Sequence, residues 1–434
     1  MVSQSDPIKT LVTRKNEVLI ARENQLEINL LGYHGGQPYI DARLSRFAAE
    51  SDIDWNGGNR KDGSYVNGRK EMSYVVPYLD RIVTKIDQYV FGIIPNRTNL
   101  DTEIEQDITS NGESLNTLMA EVSSYLTVNG WCWLGVDAPA IPIDTQISQV
   151  DKSQNKIRPY AQVYSANQVV DWYISPDGTI QWLITETREY IAKNPLETPY
   201  YQLVRRLWEP GKVTKIIIDE DKNEHIVEEI LLSYTDKVPF VLVGKPSKEP
   251  HMFDSLESIN RTILDLCSAN NANYYHTVYP QLVLPASVMD TVMSAYDVNA
   301  ETATTMIKGF AYPILLNEND ATPAYLMPDA SSIGSMRSEL DSLKNELYES
   351  VGLLLKKESK QVESAEAKRW DTLDLDMLIR ARAEKLEEAE QKIAKIFNGW
   401  DSEIPEWDVV YNKSITELVP NSVEEDVKKA IEIE

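Results

Sequence analysis

The sequence predicts an α+β chain: a mixed helix-and-strand block up to about residue 250, then a half dominated by long helices. Three observations predict it. Apolar residues recur at spacings of three and four in Tyr74–Phe91 and Glu113–Thr127, the signature of amphipathic helices. Runs rich in Val, Ile, Tyr and Trp, separated by turn residues, fill positions 131–243. Beyond Asp254 the three- and four-residue spacing returns and persists over much longer stretches.

The elements follow in order. Asp6 to Arg46 reads as helical with a break at Gly32–Gln37, and Ser51–Asn67, rich in Gly, Asn, Asp and Ser, reads as a loop. In Tyr74–Phe91 the residues Val75, Val76, Leu79, Ile82, Val83, Ile86 and Val90 share one face. In Glu113–Thr127 Leu115, Leu118, Met119, Val122 and Leu126 do so, and Asn129–Gly130 supplies a left-handed stop. Strands are expected at Trp131–Val136, Tyr160–Tyr164, Val169–Ile174, Ile180–Glu186, Tyr200–Trp208 and Val238–Val243, with a turn at Pro176–Gly178. Lys212–Ile218 and Ile226–Tyr234 flank the acidic turn Asp219–Asn223 as a hairpin. Trp131, Trp133, Trp172, Trp182 and Trp208 are expected in the β core, with Cys132 as a small buried hydrophobe.

In the second half a helix starts near Asp254, which with Glu257 gives a capping-box pattern. Its stripe is Leu256, Ile259, Ile263 and Leu266. Its later part is polar, with Ser268, Asn270, Asn271, Asn273 and His276, so it suits packing against copies of itself or lining water. Pro280 ends it. Gln281–Asp329 reads as a small α+β insert with strands at Gln281–Leu284 and Ala311–Leu316. Ser331–Leu355 is a helix with Ile333, Met336, Leu340, Leu343, Leu347, Val351 and Leu354 on one side. The charged segment Lys356–Ser364 interrupts the pattern, and a helix from Ala365 to Phe397 follows, stopped by Asn398–Gly399. Asp401–Glu434 is acidic, with ten Asp/Glu against three Lys.

Composition narrows function. The chain has 434 residues, 43 Lys and Arg against 68 Asp and Glu, and a net charge of −25, which disfavours a conventional nucleic-acid binder for the molecule as a whole. Two cysteines exclude a disulfide scaffold and a Cys-built zinc site, and fit synthesis in a reducing cytosol. No secretory leader and no run of apolar residues long enough to span a membrane is present.

Enzyme signatures are absent: no phosphate-binding GxxxxGK[ST], no GxGxxG and no GxSxG. The four histidines are scattered, and His276 reads as a packing or capping residue. Acidic clusters at Asp101–Glu105, Asp219–Asp221, Asp371–Asp376 and Glu384–Glu390 offer a metal-dependent nuclease as a rival reading. Such runs usually form solvated faces, and Asp374 and Asp376 lie on different sides of their helix. No catalytic residue, cofactor or metal is therefore assigned.

Four stretches carry a resemblance: TVNGWCWLGVDAP (127–139), RPYAQVYSANQVVDWYI (158–174), VPFVLVGKP (238–246) and SAEAKRWDTLDLDMLIRARAEKLEEAEQKIAKIFNGW (364–400). In this order they resemble the portal, or head–tail connector, proteins of tailed bacteriophages, over about Tyr74 to Trp400. The resemblance implies a portal-like α+β fold. Residues 1–250 and the long helix 365–400 would form a wing, 254–279 and 331–355 the stem helices, and 281–330 a clip. Residues 356–364 would be a tunnel loop and 401–434 a short crown or C-terminal tail.

The resemblance also implies a ring, usually dodecameric, at one capsid vertex of a virion made in a bacterial cytoplasm. Double-stranded DNA would pass through it during packaging and ejection. The implied partners are the terminase packaging motor, a head–tail adaptor, and the major capsid and scaffold proteins, with no membrane. Lys356, Lys357, Lys360 and Val362 would meet DNA in the channel, and Asn270, Asn271 and Asn273 would make stem contacts between subunits. A strongly acidic chain suits a conduit, because each phosphate held by Lys or Arg adds affinity. Another virion structural or adaptor protein is the alternative.

Overall fold

The computed structural model describes residues 11–48, 50–59, 65–139, 158–192, 198–218, 224–234, 236–278, 281–285, 294, 314–316, 324–326, 331–353 and 365–413. It is a mixed helix-and-sheet fold, as the sequence predicts.

Helix α1 (Glu17–His34) is capped by the Asn16 side chain, which accepts from the Val18 N–H at 3.0 Å. Gly35 and Gly36, both at positive φ, turn the chain into α2 (Gly36–Arg43), inside the break expected at 32–37. The segment read as a loop from Ser51 holds a short helix, Asp52–Asn56, and a small strand pair, Gly58–Asn59 with Tyr65–Val66. These elements are too short to show a periodicity. Helix α3 begins at Tyr78 rather than Tyr74, because Pro77 fits the position just before a first turn better than the interior of one.

Helix α3 (Tyr78–Phe91) and α4 (Leu115–Asn129) bury the stripes read from the sequence: Leu79, Ile82, Val83, Ile86 and Val90 against Leu115, Leu118, Met119, Val122 and Leu126. Each such side chain contributes about 1.5–3 kcal/mol by leaving water. Gly130 closes α4 in the left-handed conformation, at φ 85°.

Strand β1 (Asn96–Thr98) lies between α3 and α4 in the chain, and β2 (Trp131–Asp137) follows α4 directly. It is the centre of a three-stranded antiparallel sheet, flanked by β3 (Tyr160–Ser165) and by β9 (Phe240–Gly244). Between β3 and β9 the chain makes a meander of five antiparallel strands. They are β4 (Val169–Ile174), β5 (Ile180–Ile191), β6 (Tyr200–Glu209), β7 (Lys212–Ile218) and β8 (Glu224–Leu231), paired in sequence order. The last two are the hairpin expected around 219–223, with β8 shorter at its far end.

The small sheet has a core on each side. One side meets α3, α4 and the long C-terminal helix; the other meets the meander through Trp133, Trp208, Tyr164 and Phe240. Trp131, Trp133 and Trp208 are buried, whereas Trp172 and Trp182 are half-buried at the margin. Cys132 is fully buried, and burial pushes its thiol pKa well up, as expected of an inert core residue.

Helix α5 (Met252–Val278) starts two residues before Asp254. The capping pair is therefore not Asp254 with Glu257 but His251 with Asp254. The His251 ring accepts from the Phe253 N–H at 3.3 Å, while Asp254 reaches back to the His251 N–H at 2.9 Å. Asp254 is the last residue of the box, three after the cap, not the cap itself.

Among its described residues the insert holds three short strands, one more than expected: β10 (Gln281–Pro285) between β11 (Ile314–Leu316) and β12 (Ala324–Leu326). Helix α6 (Ser331–Glu349) follows, ending short of Leu355. Helix α7 runs from Ala365 through Asn398 and Gly399 to Trp400. Gly399 is not a stop: a Cβ there would come within 2.6 Å of the Tyr234 ring, so its role is close packing. The chain then folds back, and β13 (Asp408–Val410) pairs with β1. Among the described residues no helix is long and apolar enough to cross a membrane.

Candidate functional site

The second half is organised around α5 and α6, which run antiparallel. Asn273 meets Met336, with Nδ2 to Sδ 3.6 Å, and Tyr274 accepts from Arg337, whose guanidinium lies 5.2 Å from the ring centre. Their burial differs along their length. Phe253, Leu256, Ile263 and Leu264 at the start of α5 and Leu340 and Leu347 in the later part of α6 are buried. Toward the insert the described side chains of both helices are half-buried or exposed, Ile333 and Met336 included. The hairpin thus leaves the molecular core as it approaches the three-stranded insert.

One flank of α5 is anchored by buried ion pairs that the sequence reading missed. Arg22 donates to Asp254 at 2.6 and 2.9 Å, and Asn29 donates to the same carboxylate at 2.8 Å. Burial alone would raise the Asp254 pKa, but bonds from Arg22, Asn29 and the His251 N–H outweigh it and hold it below the ordinary value. Arg43 grips Glu257 at 2.7 and 2.9 Å, and the Tyr39 hydroxyl donates to Glu257 at 3.1 Å. Burial first, and the adjacent Glu257 charge second, push the Tyr39 hydroxyl pKa well up. Asp265 accepts from the Ser45 N–H and Oγ at 2.8 and 2.6 Å. Arg69 reaches Ser268 at 2.9 Å and also binds Glu50 and the Ser45 carbonyl. Positions 254, 257, 261, 265 and 268 step by three or four, so they form one face. That spacing was the available signal, and it was hidden because its partners lie some 200 residues upstream.

The residues singled out as stem contacts sit at different places. Asn271 donates to the Met72 carbonyl at 3.0 Å, and Asn273 faces Met336, so both engage their own chain. The Asn270 Oδ1 is buried with no hydrogen-bond partner among the described residues. The side chain of His276 and all of Lys356, Lys357, Lys360 and Val362 lie outside what the structure describes.

Of the acidic clusters, Asp219–Asp221 and the side chains of Asp371 and Asp374 lie outside the described residues. Among the described residues no three His, Cys, Asp or Glu side chains are grouped to hold a metal ion. Asp101 caps a short helix by accepting from the Glu103 N–H at 2.8 Å. Glu390 is fully buried and accepts from Arg97 at 2.6 and 3.1 Å, from Trp407 at 3.1 Å and from Tyr411 at 2.6 Å. Its function is to pin residues 401–413 against α7. Arg382 is half-buried beside Asp87 and Cys132, and desolvation of its guanidinium lowers its pKa to about 10. It donates to the Ser123 carbonyl at 2.7 Å.

No protein-family model matches the chain. No curated protein matches it either. Among solved structures the chain is similar to a chain of the virion of a native gene transfer agent (GTA) particle, at 11% identity and a TM-score of 0.44. It is also similar to chains of the neck of an empty GTA particle, with C6 symmetry, and the neck of a native GTA particle, with C12 symmetry. These two are 10% identical, with TM-scores of 0.40 and 0.39. Each comparison covers 82% of this chain and 85% of the other.

Proposed function

We propose that this chain is a phage portal protein: one subunit of a closed ring, in the expected case a dodecamer, that forms a channel for double-stranded DNA at a capsid vertex. The observation that carries the reading is the α5–α6 hairpin. It is rooted in the core by Arg22, Arg43 and Arg69, then extends beyond the core to a small three-stranded insert. Its outer part presents Asn270, Ile333 and Met336 with incomplete cover in a single chain. A ring of heterologous contacts would supply that cover from the next subunit. The resemblance along 127–139, 158–174, 238–246 and 364–400 supports the same reading.

In this reading residues 1–250 and α7 are the wing, 254–279 and 331–355 the stem, and 281–330 the clip that docks the packaging motor and later the tail adaptor. Residues 356–364 are the tunnel loop, and 401–434 a short crown or tail. The chain carries no nucleotide-binding loop in its sequence, so ATP hydrolysis belongs to a separate motor.

Native mass spectrometry and negative-stain imaging of the purified protein test the ring. A monomer at every concentration, with the fold intact, overturns it. Replacing Lys356, Lys357 and Lys360 together by Ser tests the channel: assembly should persist while packaging or retention of DNA changes. Contacts of this kind are worth about 1 kcal/mol or less each when made at an exposed surface, and the effect should weaken with salt. Deleting 281–330 should spare the wing and abolish motor and adaptor docking.

A further inference from the structure

Strand β9 (Phe240–Gly244) is the edge of its sheet, with β2 on one side only. In an antiparallel pair, alternate residues turn both backbone groups toward the neighbour. The Val136 N–H donates to the Pro239 carbonyl at 2.8 Å, and the same register pairs Val241 with Leu134 and Val243 with Cys132. Those residues face β2, so the backbones of Phe240 and Leu242 face outward. The Phe240 N–H is used by the Val238 carbonyl, at 2.8 Å. Among the described residues the Phe240 carbonyl and both backbone groups of Leu242 have no hydrogen-bond partner.

Both faces of β9 are covered. Val241 and Val243 pack into the core that holds Ala389 and Ile396 of α7, and Phe240 and Leu242 into the core of the meander. Among the described residues only the edge is uncovered, and it forms the floor of a cleft of about 710 Å³. One wall is the β4–β5 turn, Ile174 to Ile180; the other is α7 from Lys385 to Ile396.

Five lysines line this cleft: Lys237, Lys245, Lys385, Lys392 and Lys395. All five are exposed. The carboxylates that line it are Asp177, bonded to Ser175 and Thr179, and Glu388, bonded to Lys392 at 2.6 Å. Among the described residues the other four lysines form no ion pair. On a chain of net charge −25 this is a local inversion of sign.

We propose that the cleft takes an extended, acidic segment of a partner polypeptide as an added strand on β9. Donor and acceptor alternate along an open edge, and a polypeptide backbone satisfies both, whereas a phosphodiester backbone offers acceptors alone. Five residues of strand span roughly 17 Å, enough to seat alternate acidic side chains against the lysines of the α7 wall. Lysines beside an edge also discourage unwanted strand pairing, so the test must separate acceptance from rejection.

The probe is a fluorescent peptide of four Val-Glu repeats, added to the full chain. Saturable binding is expected, with slowed amide exchange at Leu242. Lys385→Glu with Lys395→Glu, both at exposed positions, should weaken binding by about tenfold or more. Two further peptides, N-methylated on alternate sets of amides, leave the protein unaltered: one should bind and the other should not. Absence of saturable binding, binding without protection of Leu242, or equal binding of the two methylated peptides overturns the proposal. So does displacement of the peptide by a short DNA duplex that itself binds without protecting Leu242, which would make the cleft a nucleic-acid surface.

Discussion

Arg22 and Asp254, 232 residues apart in the chain, form a two-pronged ion pair at 2.6 and 2.9 Å that ties α1 to the first turn of α5. Their side chains are 7% and 13% exposed, so this pair belongs to the interior. Removing one partner leaves the other charge buried and uncompensated, which typically costs 3–5 kcal/mol. Arg22→Ala should therefore destabilise the chain by about 3 kcal/mol or more, read as a lower denaturant midpoint.

The same pair fixes an acid limb of stability. The folded Asp254 pKa lies below its ordinary 3.8. Its contribution is complete above that value and is lost as pH falls through the lower, folded value. Asp254→Asn should remove this limb: stability at neutral pH falls, and the loss between neutral pH and pH 3 becomes shallower than in the parent. An unchanged slope would show that Asp254 does not titrate with folding.

Much of this architecture was legible in the sequence because it rests on local periodicity. Leu79 to Val90 and Leu115 to Leu126 fall on the buried faces their spacing implies. The tryptophans of Trp131–Trp133 are core residues, as β-rich runs with little charge suggest. What was not legible depends on distant partners. Asp254 looked like a cap, yet its carboxylate is committed to Arg22 and Asn29 as well as to the His251 N–H. Gly399 looked like a terminator, yet it makes room for Tyr234. Ser268 and Asn271 looked like surface groups for a neighbour, yet they bond to Arg69 and Met72 of the same chain.

Glu390 provides a test of how residues 401–413 are held. It is fully buried among Arg97, Trp407 and Tyr411, and Arg97 is itself only 3% exposed. Glu390→Gln keeps the shape but removes the buried counter-charge, leaving the guanidinium only the more exposed Glu105 carboxylate at 3.6 Å, at a cost of about 3 kcal/mol. Proteolysis should then release the segment after Trp400 faster, and Trp407 fluorescence should shift to the red as the ring meets water. Protection equal to that of the parent would mean that strand pairing of β13 with β1 suffices.

Gly130 tests the junction between α4 and β2. Its φ is 85°, and an added Cβ would stand 2.9 Å from the His251 ring, the cap of α5. Gly130→Ala meets both a strained backbone and a displaced imidazole. A loss of about 1–3 kcal/mol is expected, larger than for alanine at the open, positive-φ Gly178, where nothing lies within 4 Å. Thermal melts of the two variants side by side check the difference.

Asn270 separates stability from assembly, because the two respond with opposite sign. Its Oδ1 is buried without a hydrogen-bond partner among the described residues, on the part of α5 where single-chain cover is incomplete. A buried acceptor left unmade costs about 1–3 kcal/mol, so replacing it with an apolar residue should relieve the isolated chain. If a neighbouring subunit supplies the missing donor, the same replacement removes an interaction from the ring. Asn270→Leu should then raise the melting temperature measured under monomeric conditions and weaken the oligomer in sedimentation. A variant that assembles as well as the parent while melting higher would show that Asn270 makes no contact between subunits. The ring would then have to be held by Ile333, Met336 and the insert.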